Sequence, residues 1–162
     1  SDSVIRFAVL VHDLGKAATP KDQLPNHDGH EARGVNIINS FCERYKIPNK
    51  YHDLAVCVSK FHLICHQIQE MKPKEILESL EKIDAFRRPE RFKQFLTACE
   101  SDSRGRAGYE EKEFTQAKYF LNALEISRNI NVDILKNKGL EGKKLGDALR
   151  DERIKILEKE LR

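Results

Sequence analysis

Apolar side chains recur every three to four positions along almost the whole chain, and no stretch alternates long enough for a half-buried strand. That period predicts an all-α fold. Val4, Ile5, Ala8, Val9 and His12 fall on adjoining turns of a segment running from Ser3 to about Leu14, which Asp2 or Ser3 can cap and Gly15 can end. Thr19-Pro20, Leu24-Pro25 and Asn26-His27-Asp28-Gly29 then spell a loop. A second helix, from His30 to about Tyr45, carries the stripe Val35, Ile38, Cys42 and Tyr45; a third, from Lys50 to about Glu70, carries Leu54, Ala55, Val58, Phe61, His62 and Cys65. Pro73 and Pro89 each open a further helix, the latter leading to Asp102. Gly105 and Gly108 punctuate the end of a bundle over residues 1–108. A helical C-terminal extension over 109–162 follows: a helix near 111–128, a short one capped by Asn131, and a charged last helix with Leu145, Leu149, Ile154, Ile156 and Leu161 on its apolar face.

Composition narrows the class further. With 162 residues, 40% of them apolar and 34% charged, the chain is long enough for one core. Its four cysteines form no CxxC pair and read as reduced core thiols. The longest apolar run, Val4 to Val11, is broken by Arg6 and falls short of the ~20 residues that span a bilayer. No membrane association is expected, and the absence of a secretory pattern around Ser1-Asp2-Ser3 points to the cytoplasm. A net charge of +3 does not by itself argue for nucleic acid. Only clusters such as Arg87-Arg88, Arg91 and Lys93, or the basic residues of the last helix (Lys143, Lys144, Arg150, Arg153, Lys155 and Lys159), offer sequence-independent contacts to phosphates.

Four clusters carry possible chemistry. His12-Asp13 closes an apolar helix, where an imidazole and a carboxylate can share a divalent ion if the backbone lets them converge, which Gly15 permits; ionising both there without a cation would be costly. His27-Asp28-Gly29-His30-Glu31 leads into a helix, with Gly34 a turn later allowing close approach, although loop histidines are more often solvated than ligating. His62 and His66 have the i, i+4 spacing of a chelating pair, with one of them equally readable as a core or rim histidine; His62 is the better ligand, leaving His66 to support it or to touch substrate. Asp102 ends a buried helix just before Arg104 and Arg106, which makes either a phosphate-ester site or a local salt-bridged cap.

Taken in order, HDLGK at 12–16, HDGHE at 27–31, KFH at 60–62, and Asp102 before RGR at 104–106 resemble the HD superfamily of metal-dependent phosphohydrolases. More narrowly, the chain is similar to the C-terminal HD domain of bacterial CCA-adding tRNA nucleotidyltransferases, a likeness that continues into the tail GLEGKKLGDALRDERI. The resemblance implies a helical HD bundle over 1–108 and a divalent ion, nickel or magnesium, held by His12, Asp13 and Asp102, with His30 and His62 binding a second ion or gripping phosphate. From the residues themselves, His12, Asp13 and Lys16 are expected as the catalytic group, and His27, His66, Arg104 and Arg106 as substrate contacts. The activities implied are 2′,3′-cyclic phosphodiesterase, 2′-nucleotidase and phosphatase, acting on phosphorylated nucleotides or a tRNA 3′ end. The family's first histidine, on a helix ahead of HDLGK, and its N-terminal nucleotidyltransferase domains have no counterpart in these 162 residues, so a piece of a longer enzyme is expected. The alternative is a non-catalytic helical body that holds tRNA.

Overall fold

Asp2 accepts the Val4 N–H at 2.8 Å and starts α1 (Ser3–Val11), whose buried residues Val4, Ala8 and Val11 follow the helical period. The computed structural model describes residues 2–161, and every regular element among them is helical. After α1 come α2 (His30–Arg44), α3 (Asn49–Gln67), α4 (Pro73–Lys82), α5 (Pro89–Arg104), α6 (Thr115–Arg128), α7 (Val132–Lys136) and α8 (Gly142–Glu160). Among the described residues no helix is long and apolar enough to cross a membrane. The central element is α3, which packs against α1, α2, α5 and α6. One apolar core joins Ile38, Leu54, Phe92 and Phe95 to Phe120, Leu124 and Leu157, so residues on both sides of position 108 contribute to it. All four cysteines are buried free thiols.

Three expectations need correction. First, α1 stops at Val11 rather than near Leu14, and residues Leu14–Ala18 form a tighter 3-10 turn. The cause lies in packing: a Cβ on Gly15 would sit 1.9 Å from the His30 carbonyl oxygen and 2.5 Å from the Gly34 nitrogen. Gly15 therefore acts through close backbone approach to α2, not as a left-handed helix stop. Second, Tyr45 is not on a buried stripe; it is 58% exposed, with its ring against Phe41 at 4.8 Å. Third, the inward face of α8 centres on Leu157, while Leu145, Leu149, Ile154, Ile156 and Leu161 are only partly buried. Arg153 is drawn inward as well, its guanidinium 4.0 Å from the Phe86 ring and its Nε donating to the Ser127 carbonyl at 3.2 Å.

Candidate metal centre

The end of α1, the start of α2, the last turns of α3 and the last turn of α5 meet at one buried point. His12 caps α1 and donates Nδ1–H to the Val9 carbonyl at 2.7 Å. At the first turn of α2, His30 donates Nδ1–H to the His27 carbonyl at 2.9 Å; on α3, His62 does the same to the carbonyls of Val58 and Ser59 at 3.1 and 3.2 Å. Main-chain carbonyls thus hold the Nδ1–H of all three rings, and each ring turns its Nε2 toward the cluster. Asp13 stands among them. Its Oδ2 lies 3.3 Å from His12 Nε2, while its Oδ1 lies 3.3 Å from His30 Nε2 and 3.8 Å from His62 Nε2. Asp102 brings Oδ1 to 3.4 Å from His12 Nε2. The helix-to-helix contact of Gly15 with Gly34 is what allows this, because it presses the turn that carries Asp13 onto the N-terminus of α2.

A divalent cation fits this donor set. Ligand atoms of His12, Asp13 and His62 all lie within 4.8 Å of one another. His12 Nε2 and Asp13 Oδ1 are buried without a hydrogen-bond partner, a state that costs about 1–3 kcal/mol per group when nothing compensates it. Burial pushes the His12 pKa down, but the Asp102 and Asp13 carboxylates outweigh it and carry the group up to about 10. Burial raises Asp13 and Asp102 in turn, yet His12, with Lys16 beside Asp13 and His66 beside Asp102, holds both well below the ordinary carboxylate range. His62 is lowered by burial and by the neighbouring His12, which keeps its imidazole neutral and ready to ligate. With no cation bound, one proton on His12 offsets part of the charge of two carboxylates; a divalent ion would offset both.

The remaining predicted residues divide. Lys16 reaches Asp13 Oδ2 at 2.5 Å, His66 Nε2 donates to Asp102 Oδ2 at 2.9 Å, and Arg106 lies 3.6 Å from the same oxygen, so these three border the cluster. His27 contributes its carbonyl to His30, while its ring pairs with Thr19 Oγ1 at 2.8 Å. Arg104 turns away, donating to the Glu110 carbonyl at 2.7 Å and lying 3.5 Å from Glu100. The basic run before and within α5 is largely neutralised at home: Arg87 and Arg88 pair with Asp84, Arg88 also with Asp53, and Lys93 with Glu90. Sequence reasoning passed over Arg33. It fastens the loop after α1 by donating to the Asp28 carbonyl at 2.8 Å and to Thr19 Oγ1 at 3.2 Å, and its only sequence cue is an arginine one turn inside a helix that follows Asp-Gly.

An all-helical bundle in which a His-Asp pair at one helix end meets a distant aspartate and two further histidines defines a helical domain with a candidate divalent-metal centre. Its relatives make that class specific. The chain is 48% identical over 157 residues to the Multifunctional CCA protein of Thioalkalivibrio sulfidiphilus, covering 97% of this chain and 38% of that protein. It is 43% identical over 153 residues to the protein of the same name from Pseudomonas savastanoi pv. phaseolicola and 43% identical over 157 residues to that of Nitrosococcus oceani; these matches take in 94 and 97% of this chain and 37 and 39% of the relatives. The chain is thus similar to the multifunctional CCA proteins along a little over a third of their length. No family model matches it, and no solved structure does.

Proposed function

We propose that this cluster is the divalent-cation site of a phosphohydrolase that acts on nucleotide or RNA phosphate esters, 2′,3′-cyclic phosphates and 2′-phosphates among them, in tRNA 3′-end maturation and repair. One observation carries the reading: three histidines with carbonyl-locked Nδ1–H groups direct their Nε2 atoms at Asp13 and Asp102, two of the converging atoms having no hydrogen-bond partner. Imidazole donors suit nickel, and the carboxylates suit magnesium or manganese, so a mixed N/O set with three rings favours a transition metal such as nickel over magnesium.

His12, Asp13 and Asp102 would hold one ion, and Asp13, with an oxygen facing each side, would join it to His30 and His62. When bound, a divalent ion polarises phosphoryl oxygens and lowers the pKa of a water that can attack phosphorus. The chain's own part is to position and to balance charge. Lys16 and Arg106, exposed at the rim and resting on the two carboxylates, are placed to swing onto the non-bridging oxygens of an incoming phosphate, which gains negative charge as attack proceeds. In a 2′,3′-cyclic ester the water oxygen would bond to phosphorus as the P–O bond to one ribose oxygen breaks, and that oxygen takes the proton the water gives up. The name shared by the relatives supports a place beside nucleotide addition to tRNA within a longer polypeptide. The test is phosphate release from 2′-AMP and ring opening of 2′,3′-cyclic AMP, with nickel, manganese or magnesium, by the full-length protein and its Asp13→Ala variant. Metal-dependent turnover abolished by the substitution supports the reading; equal turnover by the variant removes it.

A further inference from the structure

Asp102 divides its two oxygens. Oδ1 faces His12, whereas Oδ2 accepts a hydrogen bond from His66 Nε2 at 2.9 Å. His66 leaves α3 one turn beyond His62, so a single helix face sends one ring into the cluster and the next to its outer edge. The His66 ring is itself held edge-on by Phe114, 5.4 Å away between centroids and buried just ahead of α6. Arg106 is the other group near Oδ2, but it stands 3.6 Å off and 61% exposed, too loose to set an orientation. A carboxylate's terminal torsion is broad, so without a fixed partner Asp102 would sample many settings.

We propose that His66 is a positioning residue: its Nε2–H pins Asp102 Oδ2 and thereby turns Oδ1 toward the cation cluster, with Phe114 keeping the ring in place. The proposal rests on the metal reading given above. It ties the segment after residue 108 to the site through one aromatic contact and one hydrogen bond, and it gives His66 a task other than ligation or substrate contact. Hydrogen-bonded partners of ligating groups typically change metal affinity by about 10–100-fold when removed.

The test is calorimetric titration of the whole chain with nickel, comparing the native sequence with Asp102→Ala, His66→Gln and His66→Phe, each checked for folding by thermal melt. A glutamine amide can still donate to Oδ2, whereas phenylalanine keeps the ring against Phe114 and removes the donor. The expected result is affinity within about threefold of native for His66→Gln and a loss of about 10–100-fold for His66→Phe. A purely packing role reverses that order and overturns the proposal, as does native affinity in both variants or an equal loss in both. Should the native chain bind no nickel, or Asp102→Ala bind it as tightly, the metal reading itself fails. Native binding that Asp102→Ala abolishes and His66→Phe leaves intact removes only the role of His66.

Discussion

His12 carries a proton that a cation must displace. Held up to about 10 by Asp102 and Asp13 despite its burial, the imidazole is charged at neutral pH in the metal-free chain, and the nitrogen that holds the proton is the one that would ligate. Metal binding is therefore a competition with protons. Apparent nickel affinity should rise between pH 6 and 9, by at most about tenfold per pH unit, and titrations in buffers of different ionisation enthalpy should register about one proton released per ion. An affinity that does not change over that range would show that His12 Nε2 is not a ligand. Asp13→Asn should weaken binding by more than about tenfold, because it takes a charged oxygen from a point that faces three imidazoles, and calorimetry reads that loss directly.

At the scale of elements, close packing around α2 and α8 decides where the chain can change. Gly15→Ala forces a methyl group into the His30 carbonyl and should destabilise the chain by about 1–3 kcal/mol, lowering Tm by about 2–12 °C. Leu157→Ala removes the one buried residue of α8 and should cost about 2–5 kcal/mol, while Leu10→Ser, at a position 79% exposed, should stay within about 0.5 kcal/mol of native. Thermal melts of the three variants check the ranking. The helices opened by Pro73 and Pro89 were legible because proline at a first helical position is a local cue, and the two start there. The early end of α1 was not, since it comes from a contact of Gly15 with a helix about fifteen residues further on. Leu157 was hidden for the opposite reason: it lies in the run Ile154 to Leu157, where position alone does not tell which apolar residue faces inward. His12, Asp13, His30, His62 and Asp102 were readable as residue types in a family-like order, whereas the carbonyls of Val9, His27, Val58 and Ser59 that fix the tautomers leave no trace in side-chain identity.

For the whole molecule, the charge cluster links stability to pH. His12, whose folded value lies above its ordinary 6.5, contributes stability that is fully present below 6.5 and lost as pH rises toward 10. Asp13 and Asp102, held below 3.8, contribute stability present above 3.8 and lost as pH falls through their lowered values. The metal-free chain should thus lose thermal stability from pH 7 to 10, and nickel should restore it most strongly at the alkaline end, where no proton competes. Because residues before and after position 108 share one core, the loss should appear as a single transition rather than two. At the centre of the molecule's chemistry is one point in space where four helices deliver imidazoles and carboxylates. Anomalous diffraction at the nickel edge, from crystals of the native chain grown with nickel, tests it most directly: the account predicts a peak within bonding distance of His12 Nε2, Asp13 and Asp102, and a nickel-bound crystal with its peaks only elsewhere would contradict it.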